Sequence, residues 1–360
     1  MPYKALLIVN EPVTHWGHRL AEVSGGKVSI TTQWTPNAER GFFHMATADF
    51  DVICTVGFPT PPATLCALPA WIRSRWLDLA AMPTDEQVSQ HAAANHDRRF
   101  ERGGRGPVVS VFTPTFNAAR WVEGVYASLA AQTFTEWEWV VVDDESTDAT
   151  IDVLWRLANA DPRVRIYHST GPMKHRIGAL KGAACQYAGG EFLVELDHDD
   201  ELMPDALREI VGAFRSNPDV GMVYSDFAEV REDGTSNMYG GDAWRYYPAQ
   251  WHGRDVMVAR APDVYGTFSF GRAIDHMPVC PNHVRAFRRS EYLRVGGYRN
   301  LVWADDYDLI LRFFARSKIL HIPQFLYVQR MHRSTWAANA PQVFRCFEKV
   351  RQQYLSEIGE

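Results

Sequence analysis

The sequence is poor in cysteine and has no close cysteine pair. Cys54, Cys66, Cys185, Cys280 and Cys346 are scattered through 360 residues. Such spacing offers neither a zinc cluster nor a disulfide framework, and it suits a reducing compartment. No stretch approaches the ~20 apolar residues needed to cross a bilayer, and the first residues lack the pattern of a secretory leader. A cytoplasmic location is therefore expected, with peripheral membrane contact left open. Positive charge is not in excess: the formal net charge is −6, which argues against a broad nucleic-acid surface. The glycine fingerprint of a dinucleotide or P-loop site is missing from the first hundred residues. What is present, 46% hydrophobic and 22% charged residues, is the composition of a globular chain with a sizeable core.

Against that background one stretch stands out. Phe192-Leu193-Val194-Glu195-Leu196 reads as a buried strand and runs directly into Asp197-His198-Asp199-Asp200-Glu201. Like charges gathered so closely repel unless something positive lies among them, and a hard divalent cation held by oxygen ligands relieves that repulsion. Asp197 and Asp199 are two apart, so in an extended segment both side chains reach the same side while His198 points away. The competing explanation is a helix start at Leu202-Met203-Pro204-Asp205, where acids cap free amides and favour the helix dipole. Capping accounts for one or two of these acids but not for Asp197.

The rest of the chain supplies the setting. Residues 1–100 read as a small α/β unit with strands at Tyr3–Val9 and Phe50–Gly57 and a helix at Leu68–Trp76. Residues 101–107, charged and glycine-rich, read as a linker. From Val108 the pattern becomes regular. Apolar strands at Val108–Thr113, Trp137–Val142, Val164–Tyr167, Phe192–Leu196 and Val220–Ser225 alternate with helical stretches at Ala119–Ala131, Asp148–Ala158 and Ile177–Tyr187. This alternation predicts a doubly wound, mostly parallel sheet, whose ligands bind at the carboxyl ends of the strands. Three such ends carry polar chemistry: Pro114-Thr115-Phe116-Asn117, Asp143-Asp144-Glu145-Ser146 and the acidic stretch. Residues 226–280 show little periodicity, and Tyr239–Tyr247 reads as a lid, an acceptor wall or a surface loop. A helix is expected from Phe287, ending at Gly296-Gly297, and another opens at Asp305-Asp306. An amphipathic helix at Val343–Ile358 is expected to dock through Phe344, Phe347 and Leu355.

Taken together, these motifs resemble the inverting family 2 glycosyltransferases of the GT-A fold, over residues of about 107–336. Thr113-Pro114-Thr115-Phe116-Asn117 resembles the first-strand motif of that family. Val141-Val142-Asp143-Asp144-Glu145-Ser146-Thr147-Asp148 resembles the second, and Leu196-Asp197-His198-Asp199-Asp200 resembles its metal-binding D-x-D stretch. Asp305-Asp306-Tyr307-Asp308 is similar to the segment holding its catalytic base, and Arg330-Met331-His332 is similar to its closing Arg-x-His element.

The resemblance implies a nucleotide-sugar donor, with a UDP-sugar favoured, and Mn²⁺ or Mg²⁺. The ion is held by Asp199 with Asp197, and by His332 when the closing segment folds over. Thr113, Pro114, Thr115, Asn117, Asp143, Asp144, Asp197 and His198 are the implied donor-binding positions. Lys174, Arg176 and Lys181 are candidate phosphate contacts. Asp306 is the implied base for in-line attack by an acceptor hydroxyl, and Asp305, in place of the usual Glu, orients the acceptor. His283 and Arg285 either line the acceptor side or pack a loop. The acceptor, whether a glycan, a lipid-linked sugar or another hydroxyl, is not readable, nor is assembly into a homo-oligomer. Two other functions compete. A sugar nucleotidyltransferase would want a basic, glycine-rich loop after the first strand, which is lacking. A catalytically silent binding module would not need Asp197, Asp199 and Asp306.

Overall fold

The computed structural model describes residues 3–9, 28–34, 52–56, 76–79, 107–169, 175–238, 244–262, 264, 281–332 and 335–358. They fall into two compact units, Met1–Gly106 with Leu154–Thr170, and Pro107–Val153 with Gly171–Glu360.

In the first unit, β1 (Tyr3–Val9), β2 (Val28–Trp34), β3 (Val52–Val56) and β4 (Trp76–Leu79) form a parallel sheet in the order β2-β1-β3-β4. Two of these strands were expected, and β2 and β4 were not. Trp76, placed by the sequence reading at a helix end, begins β4. The remainder of that expected helix and linker residues 101–106 lie outside the described residues.

The second unit opens with β5 (Val109–Thr115), which is buried along its whole length. Val109, Val111 and Phe112 supply the apolar part of that burial, and Ser110 and Thr113 enter it hydrogen-bonded to Glu138 and to Leu196 O, as a central strand covered on both faces requires. Helix α1 (Val122–Ala130) follows, turning Val122, Val125, Ser128 and Leu129 inward. Next comes β6 (Trp137–Asp143), parallel to β5. Helix α2 (Thr150–Ala160) starts in this unit, and most of it, with β7 (Val164–His168), belongs to the first. Helix α3 (Ile177–Tyr187) is short of long side chains on its inner face, where Gly178, Leu180, Lys181, Ala183, Ala184 and Cys185 are buried. Strand β8 (Phe192–Glu195) lies parallel to β5 on the side opposite β6.

Beyond β8 the sheet changes direction. After β9 (Glu201–Leu202) and α4 (Ala206–Ser216) comes the long β10 (Val220–Arg231), with β11 (Ser236–Asn237) beside it. Strands β12 (Arg245–Trp251) and β13 (Arg254–Arg260) form an antiparallel hairpin that joins β10 through β13. The short β14 (Ala286–Arg288) runs antiparallel to both β8 and β10. Helices α5 (Arg289–Arg294) and α6 (Asp305–Arg316) precede β15 (Lys318–Met331), which is parallel to β10 and antiparallel to β9. Helix α7 (Thr335–Ile358) closes the chain.

The parallel heart of the sheet is as the alternation predicts. The hairpin and β15 are additions. In the hairpin, Tyr247, Ala249 and Trp251 of β12 and Val256 and Val258 of β13 face one core with Ala228, Val230 and Val328, an alternation within a stretch taken from the sequence as showing little periodicity. The stretch expected from Phe287 as helix is β14 up to Arg288, and Gly296 and Gly297 end α5 with φ of 91° and 60°. The register of α7 also departs from expectation. Val343, Val350 and Tyr354 are buried and Phe347 meets Tyr307 edge-on at 5.4 Å, whereas Phe344 is 57% exposed.

The β8 approach to β5 depends on Gly190, where an added Cβ would lie 2.6 Å from Ser110 N and 2.8 Å from the Val109 carbonyl carbon. Backbone cannot yield as a flexible side chain can. Gly190→Ala is expected to cost about 1–3 kcal/mol in urea unfolding. At Gly212 in α4 nothing lies within 4 Å of an added Cβ, so Gly212→Ala is expected to stabilise by about 0.5–1 kcal/mol.

Candidate active site

The ends of β5, β6 and β8 bring the three polar stretches together, but many of their side chains are spent on holding one another. Thr113 donates to Leu196 O at 2.7 Å and accepts from Trp139 Nε1 at 2.8 Å, which fixes the start of the acidic stretch against β5. His198 Nδ1 lies 3.3 Å from Pro114 O. Asn117, at φ 49°, accepts from Thr147 N at 2.8 Å through Oδ1, and its own N–H donates to Ser146 Oγ at 2.9 Å. Asp143 accepts from Ser146 N at 3.0 Å and from the Ser146 hydroxyl. Asp144, buried beside it, accepts from His175 N at 2.8 Å and lies 3.1 Å from His175 Nδ1. The Thr115 hydroxyl is buried without a hydrogen-bond partner among the described residues.

Beneath this surface lies a buried charge cluster that centres on Glu195. Arg285 holds Glu195 through two parallel bonds of 2.9 and 2.6 Å, Lys181 Nζ lies at 2.8 Å, and the Tyr298 hydroxyl donates at 2.6 Å. Burial works against ionisation, but Arg285 and Lys181 together hold the Glu195 carboxyl well below the usual range. Lys181 reaches on to Asp305 Oδ2 at 3.0 Å, and Arg285 Nη1 lies 3.4 Å from Asp306 Oδ2. Lys181 therefore does not point to a phosphate; it sits on the inner face of α3 between two carboxylates. Lys174 lies outside the described residues, and Arg176 contacts Asn300 O at 3.4 Å.

The two acids that open α6 differ sharply. The Asp306 side chain is 33% exposed, with Oδ1 on Tyr307 N at 2.8 Å. Asp305 is buried, so the acceptor-orienting position expected of it is turned inward. Burial, with Asp306 and Glu195 nearby, outweighs the pull of Lys181 and pushes the Asp305 carboxyl up to about 6.

The acidic stretch divides in the same way. Asp200 is buried, accepting from Tyr327 OH at 2.7 Å and from Arg330 N at 2.8 Å. Burial and the nearby Asp199 and Asp197 raise its carboxyl well above the ordinary range. Asp197 is half-buried, and burial, Glu195 and Asp199 raise it against the pull of Lys181. Asp199 faces His332, with Oδ2 2.6 Å from Nε2. The His332 ring stacks on Trp121 at 5.8 Å, and Arg330 lies over the same indole at 5.2 Å while pairing with Glu201. His283 is buried and packs flat on Tyr327 at 4.2 Å, and burial with Arg285 holds its imidazole well below the usual histidine range.

Glu195, Tyr298 and Tyr327 were not singled out from the sequence. The available signal was a Glu closing the otherwise apolar Phe192-Leu193-Val194 run, which needs a buried partner.

The chain has relatives among known proteins. The signature of glycosyl transferase family 2 matches residues 110–292. The O-antigen biosynthesis protein RfbC of Myxococcus xanthus is 29% identical over 277 residues, which is 76% of this chain and 18% of that protein. The hyaluronan synthase of Pasteurella multocida is 27% identical over 229 residues, covering 63% of this chain and 21% of its own length. The chain thus spans only a small part of these relatives. The crystal structure of S. aureus TarS 1-349 in complex with UDP-GlcNAc superposes with a TM-score of 0.52 at 18% identity, over 69% of this chain and 70% of that one. The likeness is one of fold, the GT-A type.

Two outcomes test the buried cluster. Glu195→Gln leaves Arg285 and Lys181 without their shared carboxylate, and is expected to cost about 3–5 kcal/mol in denaturant unfolding; a change under 1 kcal/mol would overturn the compensation described. Asp305 works in the opposite sense. Its folded value, about 6, exceeds the ordinary 3.8, so its ionisation opposes folding: the cost is full above pH 6 and vanishes as pH falls below the ordinary value. Asp305→Asn is therefore expected to gain stability over the wild type at pH 8 and to lose that gain by pH 4. A pH-independent difference would refute the assignment.

Proposed function

The chain belongs to glycosyl transferase family 2, and from that premise we propose that it moves a sugar from a nucleotide-sugar, favouring a UDP-sugar, to an acceptor hydroxyl with inversion at the anomeric carbon. The observation that carries this reading is the single buried cluster beneath both halves of the site. Glu195 lies two residues before Asp197, and its partner Arg285 lies 3.4 Å from Asp306. Donor-side and acceptor-side acids are thereby held in one rigid frame, and fixed geometry is the main requirement for in-line transfer.

Asp199 and His332 offer one oxygen and one nitrogen donor 2.6 Å apart, and both are accessible, which fits Mn²⁺ or Mg²⁺ better than an all-sulfur metal. The ion, when bound, would stabilise the charge that develops on the leaving diphosphate. The chain's own residues do the rest. The Asp143–Asp144 end of β6 is the place for a carboxylate that accepts from the base N–H or the ribose. Asp306 accepts the proton of the attacking hydroxyl; its Oδ2 lies 3.4 Å from Arg285 Nη1, and its exposure leaves it open to an acceptor. Asp305 acts as a positioning residue, holding Lys181 and through it Glu195. The acceptor class, whether glycan, lipid-linked sugar or another hydroxyl, belongs to residues around the β12–β13 hairpin and beyond.

Calorimetric titration with UDP and with GDP, each with and without Mn²⁺, tests the donor side. Manganese-dependent UDP binding that is lost in Asp199→Ala is expected. On the acceptor side, Asp306→Asn is expected to lower turnover ~10²–10⁴-fold with UDP binding unchanged. Binding of neither nucleotide would remove the donor assignment and favour a silent module.

A further inference from the structure

The tip of the β12–β13 hairpin places Trp251 opposite Arg254, with only His252 and Gly253 between them. Both turn residues have positive φ, 48° at His252 and 72° at Gly253. Hairpin turns of this kind take Asn, Asp or Gly at the first position, because larger side chains crowd a left-handed backbone. A histidine there costs conformational energy, and such strain persists only where surrounding contacts hold it. One such contact is present. His252 Nε2 lies 2.7 Å from Glu201 Oε2, although the His252 side chain is 65% exposed.

Glu201, itself buried, is where three segments meet. Trp251 Nε1 donates to the same Oε2 at 3.0 Å, and the other oxygen, Oε1, accepts from Arg330 Nη2. Glu201 stands opposite Val328 in the β9–β15 pair, and Val328 shares a core with Val256 and Val258 of the hairpin. Arg330, two residues further along β15, turns to that same side.

Arg330 is held on every side. Its guanidinium lies over the Trp121 indole at 5.2 Å and over the Trp251 indole at 5.6 Å, and Nη1 donates to Asp199 O at 2.6 Å. A cation set between two aromatic faces and bonded to a buried carboxylate has little freedom left. Two residues on, His332 stacks on Trp121 and lies 2.6 Å from Asp199 Oδ2.

We propose that the hairpin tip is a latch for the closing segment: Glu201, Trp251 and His252 are positioning residues that hold Arg330 and so set where His332 meets Asp199. Hairpin and closing segment take up one arrangement together, and displacing the tip displaces His332. Through this link an acceptor seated against the hairpin acts on the donor side. That consequence rests on the family 2 reading above, whereas the link itself concerns the protein alone.

His252→Asn separates the latch from the fold, since asparagine suits the left-handed turn and is too short to span the gap to Glu201. Hydrogen exchange of the full chain without ligands is followed by mass spectrometry. Peptides covering residues 326–332 are expected to exchange about tenfold faster in His252→Asn and in Glu201→Gln. Exchange in β5 and β8, and the urea midpoint of His252→Asn, are expected to stay at the wild-type values. Gln250→Ala, an exposed change on the same hairpin, is expected to leave residues 326–332 unaltered. With Mn²⁺ present, UDP is expected to bind about tenfold more weakly to both latch variants, and no more weakly to the double variant than to Glu201→Gln. The inference is overturned if exchange at residues 326–332 is unchanged in both variants, or if it rises equally in β5 and β8. Faster exchange with UDP affinity unchanged would overturn the hold on His332. If the wild type binds no nucleotide, the donor reading falls, and exchange in the ligand-free chain still decides the latch.

Discussion

Everything at this site rests on one buried carboxylate. Glu195 closes β8 with no exposure to solvent, and an ionised acid in that position is tolerable only with full compensation. Arg285, Lys181 and Tyr298 supply it, and each comes from a different part of the chain. Arg285 stands just before β14, Lys181 lies on α3, and Tyr298 follows the glycines that end α5. Meeting the charge of Glu195 therefore fixes how these segments pack. Because Lys181 and Arg285 also reach Asp305 and Asp306, the start of α6 is bound into the same arrangement.

The consequence is a division of labour by depth. Inner acids, Glu195, Asp200 and Asp305, are enclosed and partnered, and their role is to hold geometry. Outer ones, Asp199 and Asp306, are supported from beneath but remain reachable, which a group that meets substrate requires. The closing segment obeys the same logic. Arg330 pairs with Glu201, donates to Asp199 O at 2.6 Å and lies over Trp121, so His332 arrives opposite Asp199 on a stem already anchored at several points. Trp121, immediately before α1, serves as the surface on which His332 stacks.

A neighbouring acid thus need not be an equivalent acid. Asp305 and Asp306 are adjacent in sequence and differ in role because successive helix residues point about 100° apart. One side chain enters the cluster and the other faces out. Asp199 and Asp200 differ for the same reason of direction: Asp199 meets the closing segment, and Asp200 turns onto Tyr327.

The sequence by itself determined the parallel heart of the sheet, since wholly apolar runs such as Phe192–Val194 and Val140–Val142 have no other stable place than between covered faces. It also determined which strand ends carry acids, and the order of motifs by which the chain's family is read. Only the tertiary structure decided which of those acids face solvent and which are enclosed. That depends on partners up to 133 residues away, such as His332 for Asp199, and no local pattern encodes them. Lys181 shows the difference most plainly. On sequence grounds Lys181 reads as a candidate phosphate contact, yet the inner face of α3 lets it lie against the sheet, between Glu195 and Asp305. The β12–β13 hairpin was hidden for a related reason: its alternating residues Tyr247, Ala249, Trp251, Val256 and Val258 meet a core of Ala228, Val230 and Val328 that only the fold brings to them.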